Sequence, residues 1–459
     1  MTTAEKPYSI GANSAPKPPT IPQLPIIGNS LEMGTQLEKF FIKHYHDTGK
    51  IFMAQLGTGQ DQVLMLGIEA NRFLRQESHT ALTSAVFFGA FEGLLGTDLT
   101  LLMAEGDTHK HIRAAFERHF NPQIIFDTLP KLIEIIEERV RTWNVGDKVV
   151  MFPQMQALTI ELIGYLFHGR VPREHTSSII TASGALTSIY ILGFLPTWAS
   201  RLPMYQRAIG DLISVGKRSV TYHSRNKPEV TGRRKDPMDY MMEEKRPDGS
   251  DLTQNDMNMF PMLAHLGSTD NTGGSTAFLF YEIARHHTIL ARVLEESHKI
   301  YSNGIQASSF VDNALPTLDG AIKENLRLHA PAPLTFRNAR TDFEFFGHSV
   351  KAGQEVIIGQ TLTHHLPEYF PDPEQFDPDR WTDPARHSAD SDAMMPFGAG
   401  HHHCLAEYML PVLQRIIVAV VFHQVKFVPI AENHPMHVTL LPVANPGSFS
   451  LTVEENYLL

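Results

Sequence analysis

The stretch Met394–Arg415 reads MMPFGAGHHHCLAEYMLPVLQR. It holds Cys404, the one cysteine in a chain of 459 residues. Gly398 and Gly400 precede the thiol, and the apolar spacing after it predicts a helix starting at the cysteine or just beyond. Glycines permit turns and close backbone approach. The first N–H groups of a helix point toward such a sulfur and favour its anionic form.

A lone thiolate on such a loop suits an iron ligand placed beneath a flat macrocycle. A free cysteine is also commonly a small buried hydrophobe, and the local pattern leaves both readings open. His401, His402 and His403 invite a zinc reading. Adjacent imidazoles point in different directions, however, whereas structural zinc takes separated ligand pairs.

Composition narrows the classes. One cysteine excludes an intramolecular disulfide framework, a CxxC redox pair and a four-cysteine zinc or iron–sulfur site. The 39 Lys and Arg against 50 Asp and Glu give a net charge of -11, which argues against nonspecific nucleic-acid binding. Apolar residues make up 42%, ample for an extensive core. The first twenty residues contain no apolar h-region, and no run of about twenty apolar residues follows. The expectation is a soluble, cytoplasmic protein without a transmembrane anchor. PKPPTIPQLPIIGN, Pro16 to Asn29, carries five prolines and reads as an extended leader packing on the body. Residues 1–29 are taken as flexible N-terminus and leader within a single catalytic domain, 1–459.

Helical patterning dominates the middle. Leu129 to Trp143 is amphipathic, with Leu132, Ile135, Ile136 and Val140 at helical spacing. Ile51–Leu56 and Gln62–Leu66 read as strands, and a further strand pair is expected at Phe343–Phe346 and Glu355–Ile358. From Thr253 to about Arg285 runs the longest periodic element, roughly 50 Å if helical throughout. Thr253 and Asp256 form an imperfect capping box. Pro261 predicts a kink or a later start. Gly267, Gly273 and Gly274 each cost about 1 kcal/mol against Ala. Two helices with a loop, or one core helix opened locally toward a bound molecule, both follow; periodicity on either side favours the second. The fold class is mainly α with small β-sheets.

Phe397, Gly400, His402 and Cys404 resemble the haem-binding loop of the cytochrome P450 family, as found in its soluble bacterial-type members. The chain departs from that pattern at Ala406, where Gly is common. Glu324 and Arg327, in AIKENLRLHAP, match the family's Glu-x-x-Arg helix. Phe376, Pro378 and Arg380, in PEQFDPDRW, match the segment whose arginine closes that pair into a structural network. The resemblance implies haem b, with Cys404 as axial ligand to the iron, and propionate contacts from His109, Arg113, Arg337 and His402. It covers about residues 20 to 450.

Gly267 to Thr272, GSTDNT, falls on the family's acid–alcohol segment. Asp270 takes the acid position, Asn271 the first threonine position and Thr272 the second. The family's acid–alcohol pair supplies the protons that cleavage of O2 consumes. An amide relays protons less readily than a hydroxyl but can hold a water, so Asp270 is expected to supply the relay and Asn271 to organise water. A substrate hydroxyl or carboxylate could also replace the alcohol, or the haem chemistry could be atypical.

The resemblance implies a monooxygenase acting on a small hydrophobic substrate of terpenoid, steroid or fatty acyl type, with O2 as co-substrate. Phe87, Phe88, Phe91 and Leu94 stand where the family carries a substrate-covering segment. Leu263, Ala264 and Gly267 would contribute from the long helix, Leu334 and Thr335 from a strand, and Val438 from a C-terminal hairpin. Ordinary core packing explains at least half of these equally well. No flavin or iron–sulfur motif occurs, so a separate ferredoxin or flavodoxin-type electron donor with its reductase is implied, serving a monomer. A haem-thiolate isomerase, dehydratase or peroxygenase is the first rival. A noncatalytic haem sensor or ligand carrier is the second.

Overall fold

The computed structural model describes residues 7–11, 14–25, 27–55, 61–85, 96–191, 195–439 and 443–459. Helices form most of the described structure, with three small sheets among them.

The amphipathic stretch folds as a helix over Leu129–Val140. Its stripe of Leu132, Ile135, Ile136 and Val140 is completely buried in the main core. The early strands form at Ile51–Gln55 and Asp61–Leu66, paired antiparallel. Asp61–Leu66 then pairs in parallel with Glu355–Gly359, which pairs antiparallel with Thr335–Ala339. The expected pairing of Phe343–Phe346 with Glu355–Ile358 does not form. Phe343–Phe345 instead folds back on His348–Val350 through a turn in which Phe346 and Gly347 take positive φ (47° and 73°). That turn consumes the residues a longer hairpin would need, freeing Glu355–Gly359 for the other sheet.

Gln254–Arg285 is one continuous helix of 32 residues. The capping box at its start is complete: Asp256 N–H donates to Thr253 Oγ1 (3.2 Å) and Thr253 N–H to Asp256 Oδ2 (2.8 Å). The helix begins ahead of Pro261 and runs past it, held by the buried flanks Met259, Phe260 and Met262. Local opening at the glycines is not observed. Gly273 and Gly274 serve close packing instead. A Cβ on Gly273 would stand 2.9 Å from Gln156 Cγ, and one on Gly274 would stand 2.7 Å from the Ala444 carbonyl oxygen. The helix Met151–His168 therefore lies against bare backbone, and apolar burial on both sides outweighs the propensity cost.

The helix after Cys404 starts later than its spacing predicts. A 3-10 turn covers Leu405–Glu407, and the α-helix runs Met409–Gln424. Leu405–Gln424 is long and apolar enough to cross a membrane, yet 72% of that window is buried inside the molecule. It is the core helix against which Leu129–Val140 and His287–Ser302 pack.

Candidate haem-thiolate site

Gly400 takes φ 76° and lies so close to the helix Ile68–Ala81 that a Cβ would meet Ser78 Oγ at 2.3 Å. Only glycine meets both demands. The turn places Cys404 N–H 2.9 Å from the Phe397 carbonyl, closing the loop under the thiol. Ala406 N–H points at Cys404 Sγ from 3.4 Å. Cys404 keeps accessible surface although protein surrounds it. Burial pushes its thiol pKa up, with the Ala406 N–H and Arg113 opposing and Glu407 adding to it.

The charge network behind this loop is fully buried. Arg327 donates to both oxygens of Glu324, from Nη2 to Oε1 (2.7 Å) and from Nε to Oε2 (3.1 Å). Arg380 Nε donates to Oε1 as well (3.0 Å), and Trp381 Nε1 to Oε2 (3.0 Å). Two guanidiniums thus share one buried carboxylate, with backbone carbonyls taking their remaining donors. Sequence reading missed His364. Its Nδ1 donates to the Arg327 carbonyl (3.0 Å), and its Nε2 accepts the Met395 N–H (2.8 Å). These two bonds fix its tautomer. They also tie the network to the start of the cysteine loop.

Basic groups around the loop divide sharply. Arg113 donates to the carbonyls of His401 (3.1 Å) and His403 (2.8 Å) and also meets the His403 ring, so it braces the loop. His402 has protein partners at both nitrogens, the Leu101 carbonyl and Ser84 Oγ, each at 3.0 Å. His109 is buried against His402 with Nε2 unpartnered among the described residues. Burial, then the neighbouring histidines and Arg113, pushes its pKa down to about 3. Arg337 gives Nη1 to the Phe336 carbonyl (2.7 Å), while its buried Nε has no partner among the described residues. It makes no ion pair there, and burial pushes its pKa down to about 10.

Glu105 carries no sequence signal and was not anticipated. Its carboxylate accepts from Ser84 N–H (2.9 Å) and the Thr83 hydroxyl (2.8 Å), and it pairs with Arg340 (2.7 Å). Burial opposes its ionisation. His401, His402 and these donors overcome that and hold the carboxyl well below the usual carboxylate range. Glu105, His401 and His402 lie within 4.8 Å of one another. His403 turns to Arg113 instead, so the three successive imidazoles do not converge.

On the long helix, Asp270 turns toward the helices Met151–His168 and Thr176–Leu186. It accepts from Gln156 Nε2 (2.6 Å) and Ser183 Oγ (2.5 Å), and burial raises its pKa. Asn271 gives Nδ2 to the Gly267 carbonyl (2.9 Å), leaving a buried Oδ1 without a partner among the described residues. Thr272 is buried beside it. Gly267, Asn271 and Ser275 lie four apart on one face. At Ser275 the hydroxyl accepts from Gln414 on the helix Met409–Gln424 (3.1 Å) and from Asn325 beside Glu324 (3.2 Å). Gly267 is exposed although Ala264, His265 and Asp270 around it are buried, and nothing lies within 4 Å of where its Cβ would be. The face is therefore uncovered at Gly267.

Leu263 packs on the apolar cluster of Ile179, Leu186 and Leu212, and Ala264 is buried. Leu334 and Thr335 are half-buried on their strand, and Val438 is 49% exposed. Phe87, Phe88, Phe91 and Leu94 lie outside the described residues.

A family model described as Cytochrome P450 matches residues 16–438. The chain belongs to the cytochrome P450 family. Among this P450's relatives, the sterol 14alpha-demethylase of Mycolicibacterium vanbaalenii is 24% identical over 374 residues, 80% of this chain and 81% of that one. The putative cytochrome P450 120 of Synechocystis is 25% identical over 405 residues, 86% and 87% of the two chains. The cyclooctat-9-en-7-ol 5-monooxygenase of Streptomyces melanosporofaciens is 24% identical over 358 residues, 73% and 74%. In structure, the P450 superposes on retinoic acid-bound cyanobacterial CYP120A1 with a TM-score of 0.81 at 22% identity, covering 96% and 99%. That likeness establishes the fold.

Proposed function

We propose that this P450 is a haem-thiolate monooxygenase that inserts one oxygen atom of O2 into a small hydrophobic substrate. The observation that carries it is an exposed thiol, Cys404, on a loop whose His402 feels the charge of Arg337, a buried guanidinium that has no carboxylate partner among the described residues. A desolvated, unpaired cation is costly unless an anion completes it. Propionates are such anions, so the residues present fit haem b. Cys404 would hold its iron; Arg337 and His109 Nε2 would take its carboxylates. Arg113 would act through the loop it braces. His402 would reach a propionate by exchanging its Ser84 partner. When bound, a thiolate-ligated haem supplies O–O cleavage and oxygen transfer to an unactivated C–H bond.

The chain's own residues supply protons and dryness. Asp270, kept protonated to higher pH by burial, is a proton store with Gln156 and Ser183 as its contacts. Asn271 Oδ1 can accept a water where the family has an alcohol. Thr272, buried next to Asn271, would serve as the hydroxyl of the pair. Leu263, Ala264, Gly267, Leu334 and Thr335, with Phe87, Phe88, Phe91, Leu94 and Val438, would surround a terpenoid, steroid or fatty acyl substrate. The sterol, cyclooctat-9-en-7-ol and retinoic acid in the names of similar proteins are largely hydrocarbon molecules with one polar end, within this class. Electrons would come from a ferredoxin or flavodoxin-type donor. The same reading takes residues 1–459 as one catalytic domain, monomeric and cytoplasmic.

The reduced carbon-monoxide spectrum of wild type and Cys404→Ala tests ligation; absence of a thiolate-type Soret band in wild type ends it. A ferric spin-state screen then identifies substrates, and product stoichiometric with O2 and two electrons tests turnover. Retained coupling in Asp270→Ala would remove Asp270 from the relay. The missing hydroxyl at Asn271 favours one rival, a peroxygenase, which would form product from peroxide without a reductant.

A further inference from the structure

A second feature lies on the helix Pro203–Arg225, among residues with no part in the site above. An open cavity of about 320 Å³ is lined by Arg170, Lys217, Arg218, Thr221, Tyr222, Arg225 and Asn226. Four of these seven carry a positive charge and none a negative one, in a chain whose net charge is -11. Lys217, Thr221 and Arg225 follow one another at four-residue spacing along one helix stripe, so their side chains reach the same side. Arg170 arrives from a different element. Gly169 ends the helix Met151–His168 in the left-handed conformation (φ 62°), and Arg170 then lays its guanidinium over the Tyr222 ring, 5.5 Å from the centroid. The other cation on that ring, Arg233, is 5.7 Å away and is neutralised by Asp239 and Asp236.

Cations near a helix C-terminus often do no more than offset the macrodipole, an effect confined to the last turn. Arg225 meets that description. Lys217 stands two turns earlier, so the macrodipole does not explain it; Arg170, just past the C-cap Gly169 of Met151–His168, shares that explanation but has its guanidinium laid over Tyr222. Of the four, Arg218 is engaged, with His175 (2.9 Å) and Glu174 (3.6 Å). Arg170, Lys217 and Arg225 make no ion pair among the described residues, whereas most arginines of this chain are paired.

We propose that this cavity binds a small anion bearing phosphate groups, with a diphosphate as the matching class. Arg170 supplies planar paired donors, Lys217 and Arg225 add charge from the helix stripe, and the Tyr222 ring holds Arg170 in place. The volume suits a compact polyanion at the low end of ligand-site sizes.

Calorimetry of the full-length holoenzyme with inorganic diphosphate, at about 0.1 M chloride to screen diffuse surface attraction, tests the site. The expected result is saturable binding at one site. Arg170→Gln and Lys217→Gln should each weaken it about tenfold, the loss of one charge-assisted contact, while Lys299→Gln, an exposed charge elsewhere, leaves it unchanged. Phosphatidylcholine vesicles with and without phosphatidic acid form a second arm. Retention on the phosphatidic acid vesicles alone, lost in the same two variants, identifies a lipid headgroup as the source of the phosphate. Saturable binding of neither probe, or binding that Lys299→Gln weakens as much as Arg170→Gln, overturns the proposal.

Discussion

Met395 donates its backbone N–H to Nε2 of His364 at 2.8 Å, and the same imidazole donates from Nδ1 to the Arg327 carbonyl. One buried ring therefore spans the distance from the Glu324 charge network to the entrance of the cysteine loop. It can do so only as the neutral tautomer.

The first prediction concerns acid. Burial, then the neighbouring His365, pushes the His364 pKa down to about 3 from 6.5. The unfolded chain then binds a proton that the folded chain refuses. The stabilisation is complete above about pH 6.5 and is lost as pH falls toward the folded value, by at most about 1.4 kcal/mol per pH unit. His364→Gln, which keeps an acceptor and a donor without titrating, should flatten the acid limb of stability between about pH 6 and 4. Urea titrations across that range check it; parallel limbs would contradict it.

Removing the shared anion should be severe. Glu324→Gln leaves Arg327 and Arg380, both fully buried, without a countercharge. The cost should be about 3–5 kcal/mol, characteristic of an uncompensated buried charge. Arg292→Gln, which breaks an exposed pair with Asp379, should cost under about 1 kcal/mol. Chemical denaturation of both variants provides the comparison.

Glycines of the long helix should respond in opposite directions. Gly273→Ala and Gly274→Ala force a methyl against Gln156 or the Ala444 carbonyl and should destabilise by about 1–3 kcal/mol. Gly267→Ala meets no atom and should stabilise the helix by up to about 1 kcal/mol. Its effect should appear instead in ligand-induced spin-state titrations, as weaker binding of bulky ligands. Thermal melts and those titrations separate the two outcomes.

Arg337→Leu offers a dissociation of effects. Without cofactor the variant should be as stable as wild type or more so, because a desolvated cation with no carboxylate partner among the described residues is removed. With haem it should lose the group faster, by about tenfold if one charge-assisted contact is missing. Melting of the apoprotein and haem transfer to an acceptor globin measure the two. Equal destabilisation of both forms would assign Arg337 a purely structural part.

Short-range chemistry was readable. The glycine-bracketed cysteine, the Glu324–Arg327 spacing and the Arg380 segment each need particular residue types at small fixed offsets, and offsets survive in a linear string. The long helix was readable from its flanks, but its middle was misread. Glycine in a helix signals either opening or close approach, and the two differ only in what lies opposite. Gln156 is more than one hundred residues from Gly273, and nothing local announces it.

Sequence alone therefore settled the mainly α fold class, the family resemblance and the residue types available around Cys404. Tertiary structure decided their partners. It turned Arg113 onto loop carbonyls, left Arg337 without a countercharge among the described residues and pointed Asp270 at Gln156 and Ser183. It also placed Glu105 among the histidines and His364 between two motifs. The reason is physical. A side chain's type and spacing are local properties, whereas its burial and its choice of hydrogen-bond partner depend on which distant backbone packs beside it.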